Sequence, residues 1–428
     1  MANDPDLKSD IKICNVDNYL YDKAEVWVGS PPYSNSGKQF LNLNKGERVP
    51  LQKTLIIPIK AVVKLTEEPA YNIPHKVLID NLNINAIGID LGMTRCCVAV
   101  RRANGFELVA IDNSKRQLPS YISFKENKPI CGKLVINNLH LYANSTVFDI
   151  KRIIGKNFDD IEINSLWPFE VIKSDNNEKS MILVQGYDGS IVEKGPEEVA
   201  AILLKHIKQK VEEFQGKEMD EVVITIPAAF DVDQKIATHV AAELAGFKTV
   251  HLLQEPIAAS IAYFVDRPIP PNFNMLLFDL GGGTLDLCIF KVEKNNLKII
   301  AVDGDSHLGG RDFDVMFLDV SDFDPKIEEF LTITRQEFEK MAEPILNRIQ
   351  EILKKTFSKT NIYASDINKV LLVGGGCRMP MVKSLIYDTF TKAEHFCDKN
   401  PDEMVAIGAA YYSSFIMSKN DSTACNIM

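Results

Sequence analysis

Two short segments of this sequence set an acid beside backbone donors that no side chain covers. Ile87-Gly88-Ile89-Asp90-Leu91-Gly92 and Leu277-Phe278-Asp279-Leu280-Gly281-Gly282 are both apolar runs ending in Asp-Leu-Gly. Each enters a turn of small residues, Gly92-Met93-Thr94 in the first and Gly281-Gly282-Gly283-Thr284 in the second, followed by another apolar run. Glycine-rich turns leave N–H groups open, and such nests attract phosphate oxygens. Asp90 and Asp279 end their strands facing a common cleft, and Asp286 adds an oxygen donor across the second turn. Carboxylates beside phosphates suit Mg²⁺, which keeps several waters and needs few protein ligands. One Asp-Leu-Gly alone reads as an ordinary strand-ending turn. Two copies at matched positions imply two related half-domains, each offering a hairpin to a shared site.

The surrounding pattern supplies the elements to position those turns. From Ala86 onward, strands alternate with helices, which is α/β architecture. Pro196–Phe214 reads as a helix: Pro196 suits the first position, Val199, Ile202, Leu203, Ile207, Val211 and Phe214 form one stripe, and Gly216 ends it. Val222–Ile226 and Thr249–Leu253 read as strands, with a helix over about Val232–Ala245 between them, and Glu255-Pro256 opens a further helix. In the second half, Met275–Asp279, Leu285–Val292 and Val370–Val373 read as strands. Thr334 and Glu337 form a capping box for a long helix reaching about Phe357. A last helix follows Asn400-Pro401, and its Ala406, Gly408, Ala409 and Ala410 allow close packing. Residues 1–84 differ, with Pro-Pro at 31–32 and alternating runs that suggest short strands joined by turns.

Composition narrows the function. The chain has 428 residues, 46% hydrophobic and 25% charged, with a net charge of −10. That balance fits a soluble globular protein and argues against a general nucleic-acid or anionic-membrane binder. No run approaches a membrane span, and the polar, acidic N-terminus does not read as a secretory signal. The eight cysteines show no Cys-x-x-Cys pair or zinc spacing, which leaves buried thiols as the simple reading.

The motifs also resemble a known family. Gly88–Gly92 and Phe278-Asp279-Leu-Gly-Gly-Gly-Thr284-Leu-Asp286 are similar to the two phosphate loops of the 70-kDa heat-shock chaperones. Phe148-Asp149-Ile-Lys151-Arg152-Ile-Ile-Gly155 resembles the segment carrying that family's catalytic lysine, and Gln254-Glu255-Pro256 the segment with its catalytic glutamate. Gly304–Gly310, Val373–Pro380 and Asn400–Glu403 match further signatures in family order. The resemblance implies an actin-like ATPase fold, two ribonuclease-H-like half-domains around a nucleotide cleft, with ATP or ADP, Mg²⁺ and, as a further candidate, K⁺. It implies that Asp90 and Asp279 hold the magnesium shell, with Asp286 as a third metal-side acid. Lys151 would stabilise charge on the γ-phosphate, Glu255 would order water and metal, and Thr94 and Thr284 would donate hydroxyls. Gly374, Gly375, Arg378 and Asp402 would wall the ribose and adenine.

This sequence departs from the family pattern in several places. Met93 and Arg95 stand where threonine and tyrosine are usual, and Lys235 replaces an arginine that communicates with the family's interdomain linker. Only the fifteen residues Val315 to Glu329 precede Phe330–Arg335, which resembles a segment much further along. Most of the upper part of lobe II, with its adenine clamp, is therefore expected to be missing. Losing several base contacts would cost a few kcal/mol, roughly 10²–10³ in affinity. The expectation is weakened nucleotide binding and fast release over an intact phosphate site. The family's linker and peptide-binding β-sandwich have no counterpart, so peptide clients are not expected by the usual clamp. Cys425-Asn426-Ile427-Met428 fits a prenylation box on Cys425, which would give weak membrane association.

The expected organisation is an unassigned extension over 1–84, lobe I over 85–266 and a shortened lobe II over 267–399. A C-terminal helix over 400–418 would return to lobe I, and 419–428 would be a flexible tail. Two functional readings stand: a cytoplasmic or nuclear ATP-binding chaperone-like protein with weak Mg-dependent hydrolysis, acting in protein folding or its regulation, or a non-catalytic module that binds J-domain or other co-chaperones. A metabolite kinase on the same fold would need an acceptor pocket and a base that the sequence does not reveal.

Overall fold

The computed structural model describes residues 10–11, 25–27, 40–42, 49–50, 71–73, 86–102, 105–174, 178–265, 267–294, 296–318, 333–398 and 400–424. The chain divides into two compact units, Met1–Glu68 and Pro69–Met428. In the first, Asp10–Ile11 pairs antiparallel with Val49–Pro50, and Glu25–Trp27 with Phe40–Asn42. These are short strands of the expected kind.

The second unit is built on two sheets with the same plan. In the first, Ile87–Asp90 and Arg95–Arg102 form the hairpin around the first glycine turn, and Gly105–Leu108 extends it antiparallel. On the other side, Glu221–Ile226 pairs parallel with Ile87–Asp90, and Thr249–Gln254 lies parallel beyond it. In the second sheet, Phe273–Leu280 and Leu285–Glu293 form the hairpin and Asn296–Asp305 extends it. Lys369–Val373 and Glu394–Cys397 add in parallel on the far side. The order parallel, parallel, antiparallel hairpin, antiparallel thus occurs twice. The repeated Asp-Leu-Gly is the visible trace of this duplicated unit.

Apolar residues explain the stacking. The central strands are almost continuously buried, as for Leu276, Leu277 and Phe278, because helices cover both faces of each sheet. Pro196–Gln215 begins on Pro196, with the Gly195 N–H donating to Glu198 Oε2 at 2.9 Å, and ends at Gly216 in the left-handed region at φ 71°. Its Val199, Leu203, Ile207 and Val211 are fully buried in the first core. Between the half-domains, Glu255–Phe264 packs against Met404–Ala424. A Cβ on Gly408 would collide with the Ala258 carbonyl, so glycine is what lets these two helices approach so closely.

Three expectations need correction. The single helix from Thr334 is two, Arg335–Met341 and Glu343–Ser358. The Thr334–Glu337 capping box forms, but Pro344 has no N–H and its ring would clash with the carbonyl four residues earlier, so the helix restarts there. Tyr71–Asn72 lies within the expected 1–84 extension, yet it pairs with Asn296–Leu297 and becomes the outer strand of the second sheet. The second unit therefore starts near Pro69 rather than 85. The last helix runs on to Ala424, past the expected end at 418. Residues 319–332, where lobe II is expected to be shortened, lie outside the described residues, as does Cys425.

Candidate functional site

The two hairpin turns meet. A Cβ on Gly282 would collide with Thr94 Oγ1, and one on Gly283 would stand 2.8 Å from Met93 Sδ. The first turn is tight enough that a Cβ on Gly92 would strike the Arg95 carbonyl, and the Ser120 hydroxyl donates to Gly92 O at 2.8 Å. In the second, Gly281 N–H donates to Thr284 O at 3.0 Å. The following loop seals it: the N–H groups of Gly310 and Arg311 donate to Gly281 O and Gly282 O at 2.9 and 2.8 Å.

A cleft of about 610 Å³ opens over these turns. Asp90, Gly92, Met93 and Thr94 line it from one half, and Asp279, Gly281, Gly282, Gly283, Thr284 and Asp286 from the other. Lys151 and Glu255 line it beside the turns, as do Gly374, Gly375, Arg378 and Asp402. The structure therefore brings together every cleft residue singled out from the sequence. Asp279 and Asp286 are directly cross-strand partners, which is why a spacing of seven residues aims both at one place. Asp90 stands at the matching end of its own strand and accepts from Thr225 Oγ1 at 3.4 Å.

Charge in the cleft is unbalanced. Lys151 Nζ donates to Glu255 Oε1 in a pair whose side chains are only 9% and 11% exposed. Glu255 occupies the first position of its helix, where the N-terminal dipole favours an acid. Loss of water and the Glu255 charge push both Asp90 and Asp286 up to about 7, although Lys151 pulls them back down. Asp279 lies well above the usual carboxylate range, from loss of water and then from Glu255 and Asp286. Burial alone would lower Lys151, but Glu255 and Asp90 outweigh it and hold its amine above the ordinary value.

Four acids around one lysine call for a further cation. Among the described residues, no three His, Cys, Asp or Glu side chains are arranged to hold a metal on their own. The all-oxygen donor set fits a hydrated Mg²⁺ that keeps its waters better than a dehydrated ion.

Two residues lining the site, Gln117 and Arg311, were missed in the sequence. Gln117 Nε2 donates to Asp402 Oδ2, while Arg378 Nη2 donates to Asp402 Oδ1. Arg95 lines the cleft and donates to Gln117 Oε1 at 3.3 Å. Gln117 carries no motif and could not have been found. Arg311, which also lines the cleft, follows Gly309-Gly310. The close fit of Gly309 against Gly283 is the reason for the first of those glycines, and so a usable signal. Asp149 was quoted within a motif but given no role.

The Hsp70 protein family model matches residues 86–328 and 318–425. The chain is 31% identical to a heat shock 70 kDa protein of Emericella nidulans, covering 80% of this chain and 60% of the relative. It is 31% identical to a heat shock 70 kDa protein of Neurospora crassa, covering 79% and 59%. It is likewise 31% identical to heat shock cognate 70 kDa protein 3 of Dictyostelium discoideum, covering 79% and 61%. The chain thus spans about 60% of the length of the curated relatives it matches. No helix among the described residues is long and apolar enough to cross a membrane.

Proposed function

The chain belongs to the Hsp70 protein family, and on that premise we propose that its cleft binds Mg-ATP and hydrolyses it slowly, in a chaperone-like role in protein folding or its regulation. The observation that carries this reading is the Lys151–Glu255 pair set between two apposed glycine turns. It is a cation poised at the phosphate end, with an acid ready to take over a water.

In this reading the N–H groups of the 92–94 and 281–284 turns grip the phosphates from two sides, and the Thr94 and Thr284 hydroxyls add donors. Lys151 turns from Glu255 toward the γ-phosphate and stabilises charge developing there. Glu255, released, orients the attacking water by accepting its hydrogen bond, with Asp279 beside it. Asp90, Asp279 and Asp286 would hold the water shell of a hydrated Mg²⁺, which when bound would supply charge neutralisation at the phosphates. Positioning and electrostatics provide most of the rate in such a transfer to water. Arg378 and Asp402, with Gly374 and Gly375, form the ribose and base wall.

We read residues 85–266 as lobe I and 267–399 as a shortened lobe II, with the 404–424 helix closing back on lobe I. J-domain or other co-chaperones are the partners this family membership suggests, in the cytoplasm or nucleus. Prenylation of Cys425 would add a weak membrane anchor. The test is a purified-chain assay. Mg-ATP turnover is expected above that of Lys151→Ala. Turnover equal to that variant would remove the catalytic claim. No binding at millimolar Mg-ATP would favour the non-catalytic co-chaperone module instead, and micromolar binding would count against that module.

A further inference from the structure

Beside the two glycine turns, the half-domains are joined by an ion pair, Arg311–Asp149, to which the proposed cleft chemistry gives no role. Asp149 is only 1% exposed and sits in the left-handed region at φ 58°. A non-glycine residue held there is strained and persists only if its surroundings fix it. Three groups do so. Trp167 Nε1 donates to Oδ2 at 3.2 Å, Arg311 Nη2 donates to Oδ1 at 2.6 Å, and Arg152 Nε lies 3.9 Å from Oδ2. Trp167 and Arg152 belong to the same half as Asp149. Arg311 comes from the other half, on the helix that begins at Gly310.

The two arginines also touch both turns. Arg152 Nη2 donates to Gly283 O at 3.1 Å, and Arg152 Nε points at Met93 Sδ at 3.1 Å. Arg311 Nη2 approaches the same sulfur at 3.7 Å. A thioether is a weak acceptor, so Asp149 is the principal counter-charge for the two guanidiniums. The nearby Asp312 carboxylate is already committed to Gly309 N–H at 2.6 Å. Fixing the Gly283 carbonyl also fixes the plane of the Gly283–Thr284 peptide, and with it the direction of the Thr284 N–H. His307 Nε2 and Glu162 Oε2, at 3.5 Å, form a second contact between the halves on this side.

We propose that Arg311 is a positioning residue whose ion pair with buried Asp149 clasps the half-domains, holding the Met93 and Gly283 turns in register before any ligand arrives. This deepens the phosphate-binding reading above, since the clasp sets how those turns meet a polyphosphate. It is tested without nucleotide, so the two can fail separately. Removing Arg311 leaves buried Asp149 with the more distant Arg152 as its remaining counter-charge, a costly loss for a buried acid, and Arg311 is exposed enough (30% of its side chain) to be replaced without filling or emptying a core.

The experiment is amide hydrogen exchange by mass spectrometry on the nucleotide-free full chain. It compares wild type with Arg311→Gln, which removes the charge, and Arg311→Lys, which keeps it. In Arg311→Gln, peptides covering residues 90–96 and 280–285 should both exchange about tenfold faster, the factor that corresponds to 1.4 kcal/mol. Arg311→Lys should recover at least half of that change on a logarithmic scale. Unchanged exchange over 90–96 in Arg311→Gln overturns the clasp, because that turn belongs to the opposite half-domain. A rise confined to 309–314 overturns it too, as does a uniform rise across the chain that Arg311→Lys fails to rescue. Failure of wild type to bind Mg-ATP would remove the proposed function and leave this result standing.

Discussion

The two ends of the cleft are built differently. At the phosphate end, Asp90, Asp279 and Asp286 stand at strand ends, Lys151 and Glu255 are nearly buried, and the turns interlock. At the base end, Arg378 has half of its side chain in solvent and is held through Asp402 and Gln117. Regular strands preset the first set. The second depends on long side chains reaching across a surface, where each contact contributes little. On the proposed function, recognition in this cleft is therefore weighted toward the phosphate tail and its metal, with modest discrimination of the base.

The largest expected effect lies at the phosphate end. Lys151→Ala should lower ATP turnover about 10²–10³-fold, the usual cost of one preorganised electrostatic group, while changing ADP affinity much less. Steady-state assays beside calorimetry would show the split. An equal loss in both would mean that Lys151 serves binding alone. Next, Gly282→Val should weaken inorganic triphosphate binding by more than about tenfold, because its side chain would have to push Thr94 and the opposite turn away. Unaltered triphosphate affinity would show that the turns do not act together.

The acids give a pH signature. Loss of water and the Glu255 charge push folded Asp90 and Asp286 up to about 7 from the ordinary aspartate value of 3.8, so between those values the folded chain holds protons that the unfolded chain has lost. Their contribution to stability is fullest below about pH 4, falls as pH rises toward 7, and is flat above. Burial lowers the pKa of His239, and over part of the same window that histidine works in the opposite sense. The comparison is therefore with Asp90→Asn/Asp286→Asn, which keeps His239. Metal-free wild type should lose Tm relative to this variant between pH 5 and 7.5. Mg²⁺ should raise wild-type Tm more at pH 7.5 than at 5.5, since it competes with those protons. A Tm difference independent of pH would contradict the charge imbalance. The smallest effect belongs to the base end: Arg378→Ala should weaken ADP by about threefold or less, and a hundredfold loss would reverse the comparison.

How much of this was legible follows the same division. The phosphate end could be read because its chemistry is local, an acid, a glycine turn and a following strand, repeated once per half-domain. That repeat gave both sheets and the meeting of the turns. Contacts between distant residues left no such mark. Gln117 meets Asp402 across 285 positions, and Arg311 meets Asp149 across 162; neither pair has a spacing rule to betray it. The split of the 335–358 region was legible in principle, since Pro344 breaks a helix wherever it falls beyond the first turn, and a good capping box upstream does not change that. The edge strand at Tyr71–Asn72 was not, because two residues of backbone pairing need no side-chain pattern.

The most direct test is a pair of calorimetric titrations of the intact chain, Mg-ATP against Mg-triphosphate. A cleft weighted toward its phosphate end should bind both, with dissociation constants within about tenfold of each other. Failure to bind either at millimolar concentration, or ATP held more than about a hundredfold tighter than triphosphate, would contradict it.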